Sequence, residues 1–186
     1  MSLIKGMNCG FVLAAPSMDP NSEAGRIDFY ASAMKAVAPP WANKVTEIGW
    51  WCDNETEACD FEVGIYGQNS GDDNPEALVG KSSPTAKGTT AGWKKVTGLS
   101  ITITAGQVYW IGIQVDNTAT QTETDRQTDA GEKNDILQTV AELPDPWGIS
   151  TSTYGRVPAI YAVYETSVPT NTKSNGSLYG ELPSAA

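Results

Sequence analysis

Apolar and polar residues alternate along five stretches of this chain, with the period of two that is typical of β-strands. Successive side chains on a strand point to opposite faces, so this alternation predicts strands with one buried face. The clearest examples are RIDFYASAM at 26–34, TEIGWWC at 46–52, CDFEVGIY at 59–66, QVYWIGIQVD at 107–116 and VPAIYAVYE at 157–165. Weaker examples are FVLAA, ALVGKS, WKKVT and LSITIT, and glycine, proline, asparagine and aspartate fill the gaps.

These stretches predict an all-β protein. We expect an antiparallel two-sheet jelly-roll sandwich of about eight strands, with one short helix at most. The helix is predicted over residues 135–143, because apolar residues recur there at helical spacing. These residues are Ile136, Leu137, Val140 and Leu143.

The domain organisation follows from the same pattern. We assign the sandwich to residues 1–165, and it includes a long loop without strands over residues 116–147. Residues 166–186 contain few large apolar side chains, so we predict an extended C-terminal tail there. Ordering such a tail requires burial against something else, and we expect a neighbouring subunit to supply it. The predicted buried anchors of the tail are Leu178, Tyr179 and Leu182.

Strand parity separates the predicted core from the predicted outer faces. The side chains of Phe61, Val63 and Ile65 form an unbroken apolar face, so this face is expected to be buried. Trp50 continues the apolar face of the preceding strand, whereas its neighbour Trp51 must point the other way. The full set of predicted core residues is Ile48, Trp50, Phe61, Val63, Ile65, Tyr109, Ile111 and Ile113.

The outer faces of these strands carry aromatic rings beside glycines. Trp51, Tyr66 and Trp110 each lie two residues from a glycine on the same face, and Gln114 follows on the strand of Trp110. Glycine inside a strand often marks the close approach of another group. We predict that these four residues form an interaction surface, used for protein contacts or for stacking sugar rings. The alternative is that the rings cover their own glycines or lie beneath the 116–147 loop.

Two of the three cysteines flank one predicted hairpin loop. Cys52 and Cys59 both point inward at its two ends, so a disulfide is possible if their Cα atoms lie within about 7 Å. Two buried thiols are the alternative, and they are common in reducing compartments. The sequence leaves both open, and Cys9 has no partner in either case.

Composition and charge exclude several classes of function. The chain has 12 lysine and arginine residues against 22 acidic residues, a formal net charge of −10 and no histidine. The negative charge repels polyanions, so nucleic acids and anionic membrane surfaces are not expected partners. The lack of histidine excludes histidine-based triads and the usual zinc ligands. Carboxylate chemistry remains, in the form of a glycosidase-like pair or an oxygen-ligated calcium site.

Nothing in the sequence singles out a catalytic or metal-binding set. The acidic stretches DNETEACD at 53–60 and GDDNPEA at 71–77 lack EF-hand spacing, so we interpret both as solvated turns and leave calcium binding open. We predict no catalytic residue, no metal and no cofactor. No apolar run approaches the ~20 residues of a membrane span. The apolar run in MSLIKGMNCGFVLAAPS is too short to predict a cleaved signal peptide.

Residues 92–117, GWKKVTGLSITITAGQVYWIGIQVDN, carry a resemblance to a known group of proteins. They resemble the strand–turn–strand unit of jelly-roll modules in bacteriophage virion proteins, bacterial surface proteins and carbohydrate-active enzymes. The upstream residues 45–83 and the closing PAIYAVYE at 158–165 fit the same layout. The resemblance implies a jelly roll, but such modules serve glycan binding, docking and particle assembly alike.

These points favour a non-enzymatic structural protein on the exterior of a bacteriophage particle, such as a head decoration, a fibre or a tail-associated component. An acidic surface suits a position away from the genome, and virion proteins need no export signal. We expect an oligomer that contacts other virion subunits or copies of itself. The alternative is a secreted or cell-surface lectin or carbohydrate-binding module that stacks sugars on the outward aromatics. A carboxylate-dependent glycan hydrolase is the third hypothesis.

Overall fold

The computed structural model describes residues 2–53 and 57–167, and these ranges form fourteen β-strands and no helix. The strands are β1 (Gly10–Val12), β2 (Glu23–Arg26), β3 (Tyr30–Val37), β4 (Ala42–Cys52), β5 (Asp60–Gln68), β6 (Pro75–Lys81), β7 (Thr85–Ala86), β8 (Gly92–Thr102), β9 (Val108–Val115), β10 (Glu123–Thr128), β11 (Asn134–Gln138), β12 (Ser152–Tyr154), β13 (Arg156–Pro158) and β14 (Ile160–Thr166).

Two large sheets form a sandwich. The four-stranded sheet has the order β1–β14–β4–β8, and the seven-stranded sheet has the order β12–β11–β3–β9–β5–β6, with β7 paired to β5. Along the chain, β3, β4 and β5 cross from one sheet to the other and back, and β8, β9 and β14 alternate between the sheets. This interleaving is typical of a jelly roll. The predicted all-β sandwich is confirmed, and a third sheet, β13–β10–β2, is added to it.

The main core lies between the two large sheets. Trp50 on β4 meets Phe61 on β5 edge to face, with ring centroids 5.8 Å apart. All the predicted core residues belong to this cluster; Tyr109 is partly buried at its edge, and the others are buried. Burying one such side chain stabilises the fold by about 1.5–3 kcal/mol, so this cluster is a main source of stability.

Two predictions for residues 116–147 are wrong. The segment expected to lack strands contains β10 and β11, and the predicted helix over 135–143 begins as β11. β11 pairs with β3, so that Ile136 lies opposite Ser32. Without β11, this edge of β3 would present a row of unpaired backbone N–H and C=O groups. Satisfying those groups outweighs the helical spacing of a few apolar side chains.

The possible disulfide between Cys52 and Cys59 is not formed, and both residues are thiols. The two strands do not form the predicted hairpin. β4 ends at Cys52 in the four-stranded sheet, whereas Cys59 precedes β5 in the seven-stranded sheet. The cross-strand geometry assumed for the bridge is therefore absent. Burial raises the pKa of Cys59 to about 11, so its thiol is a weak nucleophile.

The predicted tail begins where the description of the chain ends. β14 ends at Thr166, and residues 168–186 lie outside the described residues, together with the predicted anchors Leu178, Tyr179 and Leu182. Docking of the tail on another subunit therefore stays a prediction. The part of the chain that the structure describes contains no helix of the length and apolarity needed to cross a membrane.

Candidate ligand-binding clefts

The outer face of the seven-stranded sheet is covered by the chain itself. Tyr66 on β5 and Trp110 on β9 are cross-strand partners, and both are fully buried. They belong to a second apolar cluster with Trp147, whose ring centroid lies 4.9 Å from that of Tyr66. Tyr66 Oη donates a hydrogen bond to the carbonyl of Pro144 at 2.7 Å. The predicted exposed surface is therefore corrected for both rings, which lie under residues 137–147, here named the covering segment.

Polar side chains on this same face fasten the covering segment. Gln114 is fully buried, and its Nε2 donates to the carbonyl of Val140 at 3.1 Å. Its cross-strand partner Glu62 accepts a hydrogen bond from the backbone N–H of Leu143 at 2.7 Å and pairs with Lys81 at 3.0 Å. Gln114 is therefore an internal anchor, and its predicted place in an exposed surface is corrected.

Trp51 lies on the outer face of the four-stranded sheet, where solvent still reaches part of its ring. The Trp51 and Trp93 ring centroids are 5.5 Å apart, and those of Trp93 and Tyr161 are 5.1 Å apart. The Tyr161 ring lies over Gly49, where a Cβ atom would come within 2.6 Å of it. Tyr161 Oη donates to Glu47 at 2.6 Å. The glycine beside Trp51 thus accommodates a ring of this chain.

Two clefts elsewhere on the molecule meet at Tyr154, the last residue of β12. The charged cleft has a volume of about 380 Å³, and the arginine cleft has a volume of about 330 Å³. Tyr154 is 43% exposed and lines both. The charged cleft is defined by Lys5, Lys35, Asp73, Glu132, Lys133 and Tyr154. The arginine cleft is defined by Arg26, Tyr30, Glu123, Arg126, Tyr154 and Arg156.

Opposite charges are paired in the charged cleft. The Asp73 carboxylate accepts hydrogen bonds from Lys35 and, at 3.0 Å, pairs with Lys133, while Lys5 pairs with Glu132. The hydrogen bond from Lys35 is the main cause that lowers the pKa of Asp73, so this carboxylate stays ionised. The cleft therefore presents fixed hydrogen-bond donors and acceptors side by side.

The arginine cleft takes one arginine from each strand of the three-stranded sheet. Arg26 lies on β2, Arg126 on β10 and Arg156 on β13. The Arg156 guanidinium lies 3.9 Å from the centroid of the Tyr154 ring, and its Nε donates to Asn134 Oδ1 at 3.0 Å. Burial, with a smaller effect from the charge of Arg126, lowers the pKa of Arg156 to about 10. Arg156 therefore still carries its charge at neutral pH.

Asp125 on β10 is a buried carboxylate beneath the same sheet. Its Oδ2 accepts a hydrogen bond from the backbone N–H of Ser22 at 2.7 Å. Burial is the main cause that raises the pKa of Asp125 to about 6, and Asp53 adds to the rise. Asp125 has no exposed surface, so this carboxylate cannot contact a ligand from solution. Within residues 2–53 and 57–167, no group of three or more acidic or cysteine side chains is arranged to hold a metal ion.

Sequence reasoning missed Tyr154 and the arginine cleft. β10 and β12, which carry Arg126 and Tyr154, were not among the predicted strands. The three arginines lie far apart in the sequence, and no local motif joins them. The signal in the sequence was the scarcity of arginine, since the chain has only three. The structure places all three in the lining of one cleft.

Comparisons with known proteins give limited information. No protein-family model and no curated protein matches the chain. Among solved structures, the chain is similar to the crystal structure of the cysteine protease and lectin-like domains of Cwp84, a surface layer associated protein of Clostridium difficile. The TM-score is 0.46, with 14% identity over 81% of this chain, and the match spans 37% of that chain. A similarity at this level does not transfer binding or catalysis.

This comparison corrects one expectation. The sequence was interpreted as that of a non-enzymatic protein, but the similar chain contains a cysteine protease domain as well as a lectin-like domain. The expectation that the protein is not an enzyme is therefore not supported. No bacteriophage protein appears among these comparisons, so a role in a virion is a proposal and not a finding.

Proposed function

We propose that this protein is a carbohydrate-binding jelly-roll module that holds a glycan against Tyr154, across the charged cleft and the arginine cleft. The observation that carries this proposal is the position of Tyr154, a residue that is 43% exposed and lines both clefts. An exposed aromatic ring stacks on the apolar face of a sugar, while polar groups around it bind the hydroxyls.

The surroundings of Tyr154 hold the ring in position before a ligand binds. Arg156 stacks on the ring at 3.9 Å. The preceding residue, Thr153, donates from Oγ1 to the fully buried Asp135 at 2.5 Å, which ties β12 to the sheet. A fixed ring loses little conformational freedom on binding, and this favours affinity.

The charged cleft supplies groups suited to hydroxyls. Lys35 and Lys133 flank the Asp73 carboxylate, so donors and an acceptor lie side by side. A sugar hydroxyl both donates and accepts, and it can therefore bridge such a pair. With a volume of about 380 Å³, the cleft falls within the range of small-ligand sites.

The proposal is tested on a glycan array with the wild-type protein, Tyr154→Ala and a matched control, Trp41→Ala. Trp41 is an exposed aromatic that lines neither cleft. We expect wild type and Trp41→Ala to bind the same glycans, and Tyr154→Ala to lose at least tenfold in affinity, the equivalent of about 1.4 kcal/mol. Unchanged binding by a folded Tyr154→Ala variant contradicts the proposal, as does a wild-type protein that binds no glycan.

A second candidate, an exterior component of a bacteriophage particle, is favoured by a different observation. Val37 and Trp41 are each 59% exposed beside Pro40, in an apolar cavity of about 470 Å³. The N–H of Ser167 donates to the carbonyl of Trp41 at 2.9 Å, so the chain passes this patch just before residues 168–186. In this candidate the tail of one copy docks on the patch of the next. The location is a virion exterior, whereas glycan binding implies a cell surface or secretion.

The second candidate is tested by measuring the oligomeric state by light scattering. Deletion of 168–186 and Trp41→Ala should each reduce assembly, whereas Tyr154→Ala should leave it unchanged. A wild-type protein that stays monomeric at high concentration contradicts docking between copies.

A further inference from the structure

The arginine cleft collects positive charge in an acidic protein. The chain has a formal net charge of −10 and three arginines, and all three line this cleft. Glu123 is the carboxylate that lines it with them, and it accepts a hydrogen bond from Gln121 at 2.6 Å. The lining therefore carries three cationic side chains against one carboxylate.

The three arginines differ in their acidic partners. Arg26 pairs with Asp28 at 3.1 Å, and Arg126 pairs with Glu23 at 3.4 Å. Arg156 has no carboxylate partner among the residues that the structure describes; it donates to the Asn134 amide oxygen and stacks on a ring. The nearby Glu23 carboxylate acts on Arg156 electrostatically but forms its ion pair with Arg126. A partly buried cation without an ion-pair partner of its own is unfavourable, so an incoming carboxylate would stabilise Arg156.

The backbone of β2 makes room for Arg126. Gly25 lies on β2 directly opposite Thr124, and a Cβ atom at Gly25 would overlap the Arg126 guanidinium. Glycine at this position lets the Arg126 guanidinium pack against β2 within the cleft. Gly25 therefore leaves the Arg126 guanidinium room beside β2, and a planar guanidinium is the group suited to bidentate recognition of a planar anion.

We infer that the arginine cleft binds the carboxylate of an acidic sugar, with Arg156 as the principal partner and Arg126 as the second. The inference rests on the proposed glycan-binding function and names the class of glycan. The guanidinium group matches a carboxylate in bidentate geometry, and Tyr30 and Tyr154 offer rings to the sugar. A volume of about 330 Å³ is at the lower end of ligand sites, so one sugar ring is the expected occupant.

The overall charge limits what else this cleft accepts. A chain with a net charge of −10 repels polyanions over longer distances, and the lining carboxylate Glu123 adds to this locally. The cleft therefore selects single acidic residues within an otherwise neutral glycan. We therefore expect heavily charged polysaccharides and nucleic acids to bind more weakly than such a glycan.

The test compares matched sugars in NMR titrations of the full chain. The probes are the methyl glycosides of glucuronic and galacturonic acid, each beside its neutral counterpart from glucose or galactose. We expect one acid to bind about tenfold to a hundredfold more tightly than its counterpart, as a charge-assisted hydrogen bond supports. This preference should weaken as salt rises. Arg156→Gln should abolish the preference, so that the acid and its neutral counterpart bind equally. Because Arg156 also packs on the Tyr154 ring, the readout is the ratio of the two affinities and not the affinity for the neutral sugar.

Two further variants keep the result interpretable. Arg126→Lys preserves the positive charge but removes the two parallel N–H donors of the guanidinium, so it should reduce the preference. It also keeps the test available if Arg156→Gln does not fold. Lys95→Gln removes a positive charge from the exposed surface of β8 and should change nothing. Equal affinity for acid and neutral sugar overturns this inference but not the proposed function. Binding of neither sugar overturns both, and tighter binding of the matching 6-sulfate overturns the choice of a carboxylate.

Discussion

The two outer faces of this sandwich have similar residues and different surroundings. On the seven-stranded sheet, Tyr66 and Trp110 are fully buried beneath the covering segment. On the four-stranded sheet, Trp51 and Trp93 are partly buried, and solvent reaches their edges. Both faces pack an aromatic ring over a glycine. A Cβ atom built on Gly112 would lie 3.1 Å from the Tyr66 ring, and one built on Gly49 would lie 2.6 Å from the Tyr161 ring.

The difference shows that the direction of a side chain and its exposure have separate causes. Direction follows from the two-residue period of the strand, so it can be predicted locally. Exposure depends on whether a distant segment packs on the face. On the seven-stranded sheet that segment is held by Gln114 and Glu62, whose partners lie at Val140 and Leu143.

The largest expected effect comes from removing one ring on each face. Trp110→Ala empties a fully buried position, and it should lower the free energy of unfolding by about 3–5 kcal/mol. Trp51→Ala removes a ring that is partly exposed, and it should cost about 1–2 kcal/mol. Urea unfolding followed by circular dichroism measures both. Equal losses would remove the contrast between the faces.

A smaller contrast is expected between two outer-face carboxylates. Glu62→Gln weakens both the hydrogen bond from the Leu143 N–H and the ion pair with Lys81, and it should cost about 1–2 kcal/mol. Glu47→Gln on the other sheet keeps an acceptor for Tyr161 and loses an exposed pair with Lys95, at a cost below about 1 kcal/mol. Thermal unfolding of both variants checks the order, and a reversed order would mean that Glu62 does not hold the covering segment.

The two buried tyrosine hydroxyls give a local test. Tyr66→Phe removes the hydrogen bond to the Pro144 carbonyl, and Tyr161→Phe removes the one to Glu47, each at about 0.5–1.5 kcal/mol. Only Tyr66→Phe should speed hydrogen exchange within residues 137–147, since only that hydroxyl binds the covering segment. Faster exchange there in both variants would show that the segment responds to global stability alone.

The last contrast concerns the ionisation of the same two hydroxyls, which affects stability only in alkaline solution and not at neutral pH. Burial is the main cause that raises the pKa of Tyr66, and burial followed by the hydrogen bond with Glu47 raises that of Tyr161. Because the folded pKa exceeds the unfolded value near ~10, the protonated phenols favour the folded state, and stability falls as pH rises above about 10. Ultraviolet titration should find both silent while exposed tyrosines ionise. If Tyr66 ionises at the same pH as the exposed tyrosines, the covering segment opens readily.

Much of the fold was predictable, because the alternation in β4, β5 and β9 decides both strand and core. The extent of the candidate site was not. β10, β11 and β12 are short strands; β10 pairs with β2 and β11 with β3, both far away in the sequence, and β12 adds to the outer edge of β11. The apolar spacing of Ile136, Leu137, Val140 and Leu143 matches a helix, and only the open edge of β3 decides for a strand. Arg26, Arg126 and Arg156 then meet only because those strands pair.

The order of strands in the four-stranded sheet has a consequence for biosynthesis. β14 lies between β1 and β4, and its register joins Gly10 to Tyr161 and Trp50 to Ile160. While Thr166 is still inside the ribosome, the four-stranded sheet therefore lacks one of its two inner strands. Closure of the sandwich has to wait for β14, and contacts between residues as distant in the sequence as Gly10 and Tyr161 place it among slowly folding β topologies. Until then the edges of β1 and β4 are open to other chains, and this interval is when a chaperone would matter most.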